Sequence, residues 1–232
     1  MSKNLVIIGG GAGGASAAAE AKRNDPSLNV NILQAGKYAA YASCPTPYFI
    51  GDIIKDANRL VARTPERFLE NGIHVHLKTE VVHIDTAGGI IETKDEQKIP
   101  YDFLVFATGT NAFVPPVTGA DLPGVYSLRN LEDAVLIKAW LRKKNAKRVI
   151  IIGGGFIGLE MSEALHEMGV ATTIIHKDKM PANRWDVQLS SMMLDELQSN
   201  KVEFIGDAEA RSIERGKESL LRVTTDKGVR EG

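Results

Sequence analysis

A single cysteine, Cys44, is the residue of this sequence best suited to nucleophilic or redox chemistry. Proline follows it directly, and proline suits the first position of a helix, so Cys44 is expected at a helix N-terminus. The positive end of a helix favours the thiolate, which is the reactive form of cysteine. One cysteine cannot form an internal disulfide, so Cys44 is either a buried apolar residue or a working thiol.

Two glycine-rich turns have the Gly-x-Gly-x-x-Gly spacing of dinucleotide sites, each between a β-branched run and a helix-length stretch. The first glycine permits a tight turn, the second lets the backbone approach a pyrophosphate, and the third lets the helix pack on the strand. The glycines are Gly9, Gly11 and Gly14 in the first turn and Gly153, Gly155 and Gly158 in the second. Two turns predict two dinucleotides, and a flavin paired with a nicotinamide is favoured because one donates hydride to the other.

Both turns lie in segments that resemble each other, 4–33 and 148–175, and each predicts a strand, a helix and a second strand. The predicted fold class is therefore α/β, with two Rossmann-like βαβ dinucleotide-binding domains that each carry an antiparallel β excursion. We place the first domain at residues 1–112 and the second at 113–232. Cys44 follows the first unit closely, and this position favours the working thiol.

The rest of the chain predicts further elements from its apolar patterns. Residues 73–84 and 89–99 are interpreted as antiparallel strands that break at 86–89. Residues 101–108 predict a buried strand that ends in Gly109. Helices are expected after Asn130 through Lys144 and over 186–198, and strands over 202–205, 208–214 and 220–225.

The composition excludes several classes of partner. The 232 residues carry 28 basic and 29 acidic side chains, so no basic field is available for nucleic acid or anionic lipid. No window approaches about 18 consecutive apolar residues and no signal peptide is visible, so a cytoplasmic protein without a membrane segment is expected. His74 and His76 share one strand face without further ligands at metal spacing, so no metal site is predicted.

The residue that closes the second strand of each unit normally contacts the ribose of the dinucleotide. Gln34 stands there in the first unit, where an amide oxygen can accept from a hydroxyl without the charge of a carboxylate. His176 and Lys177 stand there in the second unit, followed by Lys179 and Arg184. A basic cluster suits a 2′-phosphate, so we expect NADPH to be preferred over NADH; the alternative is a solvated loop.

Several ordered motifs resemble the pyridine nucleotide–disulfide oxidoreductase family over essentially the whole chain. They are residues 7–14, Cys44-x-x-Pro47-Tyr48, residues 101–109 and residues 153–160. Within the family, the chain is most similar to the single-cysteine branch of coenzyme A-disulfide reductases, NADH oxidases and NADH peroxidases. This resemblance implies FAD at the first turn, NADPH or NADH at the second, and a thiol that carries electrons from reduced flavin to a sulfur or oxygen substrate.

The resemblance also implies a role for individual residues, with Cys44 as the catalytic residue. Those implied at the FAD site are Gly9, Gly11, Ala12, Gly14, Gln34, Ser43, Val82, Thr108 and Gly109. Those implied at the nicotinamide nucleotide site are Gly153, Gly155, Phe156, Ile157, Gly158, Glu160, His176 and Lys177. Those implied at the substrate are Ser16, Glu20, Arg23 and Ser43, among which Arg23 suits a phosphate.

The resemblance implies a small disulfide, persulfide or polysulfide as substrate, coenzyme A-linked forms included. Ala12 favours this substrate class, because oxidases and peroxidases of the branch carry a histidine at the matching position. Ala40 and Asn71 depart from the coenzyme A pattern, in which a hydroxyl and a lysine are more frequent. Two alternatives are an NADH oxidase or peroxidase that cycles Cys44 through a sulfenic acid, and a catalytically incomplete nucleotide-binding fragment.

Length supports the fragment alternative. In the family, a later Gly-Asp segment completes the FAD site and a dimerisation domain follows, so a homodimer is expected for the full-length protein. Further strands are also expected after the turn Asp226-Lys227-Gly228, because the sheet of the second domain would otherwise end in an unpaired edge. We therefore expect this sequence to be the N-terminal portion of a longer family member.

Overall fold

The structure is a computed structural model that describes residues 2–217 and 220–232. Its strands are β1 (Asn4–Ile8), β2 (Asn29–Gln34), β3 (Ile73–Leu77), β4 (Val81–Asp85), β5 (Ile90–Thr93), β6 (Lys98–Pro100), β7 (Phe103–Phe106), β8 (Arg148–Ile152), β9 (Ala171–Ile175), β10 (Glu203–Ile205), β11 (Ala210–Arg215), β12 (Leu221–Thr225) and β13 (Gly228–Glu231). Its α-helices are α1 (Ala12–Asn24), α2 (Thr46–Ile50), α3 (Pro65–Leu69), α4 (Leu131–Lys144), α5 (Phe156–Glu167) and α6 (Val187–Ser199).

The chain forms two compact units, and the first contains the residues up to Cys44 together with Asp56–Asn111. Its central sheet has the order β3-β2-β1-β7, with each neighbouring pair parallel. On one face Ile7 packs with Ala18 of α1, and on the other Val6 packs with Ile91 of the antiparallel β4-β5-β6 sheet. Both faces of β1 are thus covered, which is why its sequence is a continuous apolar run.

The prediction of one strand over 73–84 is wrong. The segment forms β3, which pairs parallel with β2, and then β4, which pairs antiparallel with β5 in another sheet. The chain turns at Lys78, whose φ is 56°. The N–H groups of Lys78 and Thr79 donate to the carbonyls of Gly36 and Gln34, at 3.0 and 2.9 Å, and these bonds end the pairing of β3. Apolar alternation continues across this corner, so periodicity alone could not show it.

The second unit contains Pro45–Lys55 and Ala112–Gly232. Its parallel sheet has the order β10-β9-β8, and a second sheet, β11-β12-β13, is antiparallel. Ile175 packs with Ile213 and Val223 of the antiparallel sheet, while Ile174 packs with Leu197 of α6. Each unit therefore combines a βαβ motif with an antiparallel excursion, and the predicted fold class is confirmed.

The predicted helices over 131–144 and 186–198 are confirmed as α4 and α6. Asn130 caps α4 in a capping box with Asp133, and Asp186 caps α6 by accepting from the Gln188 N–H at 2.9 Å. A strand follows the turn at Asp226-Lys227: residues 228–231 form β13, and Gly228 pairs with Thr225. β13 lies at the edge of its sheet. Across the described residues, the structure has no helix with the length and apolar character needed to cross a bilayer.

Candidate functional site

Each glycine-rich turn begins where a central strand ends. Gly9 follows β1 with a φ of 104°, and Gly153 follows β8 with a φ of 118°, a conformation that favours glycine. The third glycine of each motif lies against the first. A Cβ at Gly14 would overlap the Gly9 carbonyl oxygen, and a Cβ at Gly158 would overlap that of Gly153. Glycine at both positions therefore lets the helix pack closely on its strand.

The second glycine of each motif faces open space. Gly11 is the N-cap of α1 and Gly155 is the N-cap of α5, and neither helix has a side-chain cap. A Cβ at either glycine would meet no protein atom within 4 Å. Open space, uncapped N–H groups and the positive ends of helices of 13 and 12 residues coincide at these points. The residues present therefore fit the pyrophosphates of two dinucleotides.

The peptide group of the middle glycine in the first turn is held on both sides. The Gly10 N–H donates to Oε1 of Gln34 at 2.7 Å, and the Gly10 carbonyl accepts from the Ala40 N–H at 2.7 Å. Ala40 is buried and has a φ of 46°, which few residues other than glycine adopt. Gln34 thus positions the turn, and its oxygen is engaged before any ribose binds.

The second turn repeats this arrangement with different side chains. The Gly154 N–H donates to Nδ1 of His176 at 3.2 Å, and the Gly154 carbonyl accepts from the Ala182 N–H at 2.8 Å. Ala182 is also buried, with a φ of 48°. Neither alanine was predicted to hold a glycine turn, because a buried alanine carries no chemical signal. Their equal spacing after Gln34 and His176 was the signal available.

His176 is held neutral by its surroundings. Because Nδ1 accepts from Gly154, the ring proton lies on Nε2, which has no hydrogen-bond partner among the described residues and lies 3.5 Å from Oδ2 of Asp178. Burial lowers the pKa of His176, Asp178 raises it, and Lys177 lowers it. A neutral histidine adds no charge toward a 2′-phosphate, so the exposed Lys177, Lys179 and Arg184 are the cations of the predicted cluster that remain for one.

The His176→Gln variant is expected to remove a pH dependence from nucleotide binding. In the wild type, protonation of Nδ1 at acid pH removes the acceptor from Gly154, so affinity for NADH falls about fivefold, the value of one hydrogen bond. The glutamine variant copies Gln34 and should bind NADH equally at pH 5.5 and 8. NADH is the probe because it lacks a titrating 2′-phosphate. Equal pH slopes for the two proteins would contradict this role of His176.

Cys44 is exposed, so the interpretation as a buried apolar residue does not hold. Its predicted place at a helix N-terminus is corrected in detail: α2 begins at Thr46 with Pro45 as its N-cap, and Cys44 precedes the cap. Pro47 instead occupies the first turn. Because α2 has only five residues, its dipole stabilises the thiolate little. The property that the structure does give Cys44 is exposure to small molecules.

The residues predicted for the FAD site are brought together only in part. Residues 107–109 follow β7 directly and lie beside the first turn, since a Cβ at Gly9 would overlap the Ala107 carbonyl oxygen and approach the Thr108 nitrogen. Gly109 has a φ of 69°. Ala12 is exposed in the first turn of α1. Val82 is exposed on β4, and no described contact joins it to the turn.

The residues predicted for the substrate share one exposed face of α1. Ser16, Glu20 and Arg23 are spaced at three and four residues, so the helix brings them to the same side. Arg23 forms an ion pair with Glu20, and Asn24 donates to Glu20 at 2.8 Å. An anion could bind Arg23 only by competing with Glu20. Ser43, the fourth candidate, is exposed next to Cys44.

Phe156, which the resemblance implies at the nicotinamide nucleotide site, forms an aromatic pair at the second turn. Phe156 and Ile157 open α5 and are 50% and 53% exposed. The ring of Phe156 lies 5.1 Å from that of Trp185, centroid to centroid, at 50°. Trp185 is 40% exposed beside the turn. Glu160 is half-buried one helical turn after Phe156.

His74 and His76 lie on β3. Nε2 of His76 lies 2.9 Å from Oδ1 of Asn31, and burial, followed by the neighbouring His74, lowers the pKa of His76. Over the residues that the structure describes, three or more histidine, cysteine or acidic side chains are nowhere grouped as a metal would require.

Comparison with known proteins places these features in context. The family model for pyridine nucleotide-disulphide oxidoreductases matches residues 3–231. The chain is 35% identical to an NAD(P)H sulfur oxidoreductase (CoA-dependent) from Pyrococcus abyssi, over 98% of this chain and 51% of the relative. It is 28% identical to a coenzyme A disulfide reductase from Staphylococcus haemolyticus, over 99% of this chain and 52% of the relative.

The fold is also found among solved structures. The reduced CoADR-RHD protein of Bacillus anthracis superposes with a TM-score of 0.92 and 28% identity, over 100% of this chain and 42% of that one. The chain thus spans about half the length of the curated relatives it matches. With a family model that covers almost every residue and two glycine turns built as the family requires, this chain belongs to the pyridine nucleotide-disulphide oxidoreductase family.

Proposed function

We propose that this chain is the nucleotide-binding part of a flavoprotein oxidoreductase, which passes electrons from NAD(P)H through FAD to a small sulfur compound. The observation that carries the proposal is that the glycine turn occurs twice; we call each turn, with the N-terminus of its helix, a cradle. The two cradles share the same glycine geometry, and in both the N–H and the carbonyl of the middle glycine are hydrogen-bonded in the same way. One dinucleotide site serves many kinds of enzyme. Two sites in a chain with an exposed cysteine suit the exchange of electron pairs between two nucleotides and a thiol.

Each cradle would hold one nucleotide. FAD would bind the first turn, with its pyrophosphate at Gly11 and with Thr108 and Gly109 alongside. NAD(P)H would bind the second, with its pyrophosphate at Gly155 and Phe156 at the mouth of the turn. The uncapped N–H groups of α1 and α5 supply donors and positive potential to the two pyrophosphates. Bound flavin supplies the transfer of an electron pair from nicotinamide to sulfur.

Cys44 would act by thiol–disulfide exchange. Its thiolate attacks one sulfur of the substrate, forming a mixed disulfide and releasing the other half as a thiolate. Two electrons, delivered from NAD(P)H, and one proton then cleave the mixed disulfide, which returns the Cys44 thiolate and releases the second thiol. The exposure of Cys44 gives a small substrate direct access to this sulfur.

The substrate class that we propose is a small disulfide, persulfide or polysulfide, coenzyme A-linked forms included. The names of the two relatives, a CoA-dependent sulfur oxidoreductase and a coenzyme A disulfide reductase, support it. Arg23 on the exposed face of α1 would contribute a cation for the phosphates of such a ligand, after leaving Glu20. Ala12, in place of a histidine, supports a sulfur acceptor over oxygen or peroxide.

We propose NADPH as the preferred donor, and a double variant tests this. Lys177 and Lys179 are the first two exposed cations after β9, where a 2′-phosphate would lie. Lys177→Ala combined with Lys179→Ala is expected to weaken NADPH binding about tenfold and NADH binding less than about twofold, because charged hydrogen bonds to the phosphate are lost. The control is Lys147→Ala with Lys201→Ala, the same charge change elsewhere on the second unit. Equal losses for NADPH and NADH would refute the preference.

Two further properties belong to this proposal. A reaction that returns Cys44 to the thiolate suits the reducing cytoplasm, where we place the protein. We also propose a homodimer for the whole protein, on the strength of the family resemblance. Light scattering on the purified protein tests the second statement, and a monomer at micromolar concentration would reject it.

The proposal as a whole is tested by an anaerobic titration of the protein that carries this chain. NADPH is expected to bleach a flavin absorbance band near stoichiometry, and coenzyme A disulfide is then expected to restore it. Restoration by oxygen or peroxide alone would favour the oxidase or peroxidase alternative. A colourless protein that does not take up FAD would favour the nucleotide-binding fragment without turnover.

A further inference from the structure

The residues that directly follow Cys44 are held by the second unit. Residues 45–55 contain α2, and a helix of five residues is not stable alone in water. Tertiary contacts must therefore keep it in place. Phe49 and Ile50 are 5% and 0% exposed, and α2 packs on α4 and α5. The segment after the thiol thus depends on these two helices for its position.

Lys138 of α4 makes the polar part of this attachment. Its side chain is almost fully buried, and its Nζ donates to the carbonyl of Phe49 at 2.5 Å and to that of Ile54 at 3.2 Å. The same Nζ lies 2.9 Å from Oδ1 of Asp52 and 3.9 Å from the centre of the Phe49 ring. All three ammonium donors therefore have partners, and each partner belongs to the segment after Cys44.

Asp52 completes the attachment from the other side. Its φ is 65°, and its carboxylate also accepts from Arg142 at 2.5 Å. The hydrogen bond from Arg142, with a contribution from Lys138, lowers the pKa of Asp52 to about 2 against the opposing effect of burial. The carboxylate is therefore ionised near neutral pH. Gly51 packs so closely on α5 that an added Cβ would lie 2.9 Å from the Cβ of Ala164.

A buried lysine is a poor device for stability alone, because removing its charge from water is costly and an apolar side chain of similar size often serves as well. Lys138 instead fixes the geometry of this segment, because its ammonium group holds two carbonyl groups and a carboxylate at set positions relative to α4. We propose that Lys138 is a positioning residue for Cys44, holding residues 45–55 so that the thiol is presented in one place for exchange. This inference rests on the proposed function of Cys44.

The test compares Lys138→Met with Lys143→Met in the protein that carries this chain. Both remove one lysine from α4, but Lys143 is exposed. For Lys138→Met the rate of the disulfide half-reaction is expected to fall about tenfold to a hundredfold, as for small misplacements of a reacting group. Flavin reduction by NADPH and the Kd for NADPH should change less than about twofold. Hydrogen exchange of the amides of residues 49–55 should accelerate about tenfold, and Lys143→Met should change none of these readouts.

Two results would overturn the inference. One is a disulfide half-reaction in Lys138→Met equal to that in Lys143→Met; the other is an equal fall in both half-reactions, which would mark a structural role in the second unit. Should Lys138→Met not fold, Asp52→Asn keeps the lysine and its carbonyl bonds. In Asp52→Asn the rate of the disulfide half-reaction is expected to fall about threefold while flavin reduction by NADPH stays unchanged. Equal changes in the two rates would reject the positioning role. Failure of the proposed function appears separately, as disulfide turnover that survives Cys44→Ser.

Discussion

Replacing Cys44 by serine is expected to abolish disulfide reduction while flavin reduction by NADPH continues at the wild-type rate. A hydroxyl has nearly the size of a thiol but forms no disulfide, so no mixed intermediate can form. The rate with coenzyme A disulfide should fall at least about a thousandfold, because loss of a covalent nucleophile removes the whole route. Stopped-flow absorbance under anaerobic conditions measures the two half-reactions separately.

Cys44 offers a clean variant because it is exposed, so serine there is expected to cost little stability. The unfolding midpoint is expected to stay within about 2 °C of the wild type, as for other surface substitutions. Retained flavin reduction is the internal control, since it shows that both nucleotides still bind. If the Cys44→Ser variant reduced disulfide within tenfold of the wild-type rate, the assignment of Cys44 and the proposed function would both be wrong.

Gly155→Ala is expected to weaken NADPH binding about tenfold or more without unfolding the protein. An added Cβ at Gly155 meets no protein atom within 4 Å, and the φ of −83° is open to alanine. Any cost must therefore come from a clash with the ligand, at the point where the motif brings backbone and pyrophosphate together. Isothermal titration calorimetry with NADPH measures the loss, and the flavin content should be unchanged.

Two matched variants make this result specific. Gly11→Ala places the same methyl group in the first cradle, where nothing lies within 4 Å, and should lower flavin content while leaving the NADPH affinity intact. Gly158→Ala puts its Cβ against the Gly153 carbonyl and should destabilise the second unit by about 1–3 kcal/mol as well as weaken binding. Unchanged NADPH affinity in Gly155→Ala would show that the second turn binds no pyrophosphate.

The glycine turns could be predicted from the sequence because backbone sterics fix them. Only glycine accepts the φ of Gly153 and the contact of Gly158 with the Gly153 carbonyl, so spacing alone located both units. The hydrogen bonds that hold the middle glycine of each turn could not be predicted, because they depend on side chains whose types differ between the two turns. Gln34 and His176 belong to different chemical classes, yet each accepts a hydrogen bond from the N–H of the middle glycine of its turn. This shared role is visible only in the three-dimensional structure.

The surroundings of Cys44 could not be predicted either. The Cys-Pro pair indicated a helix start, and a helix does follow, but it begins one residue later with Pro45 as its cap. The long-range contact that holds this helix joins Lys138 to Phe49 and Asp52, far away in the sequence. Lys138 lies in an ordinary amphipathic helix, and its burial depends on tertiary packing that no local pattern encodes.

Exchange of Cys44 with a small disulfide leaves a covalent adduct, which mass spectrometry of the peptide that contains Cys44 detects. The protein is incubated with coenzyme A disulfide without NADPH, and then with it. We expect one coenzyme A joined to Cys44 in the first sample and a free thiol in the second. An unmodified Cys44 in a preparation that still oxidises NADPH with coenzyme A disulfide would show that the thiol takes no part in the reaction.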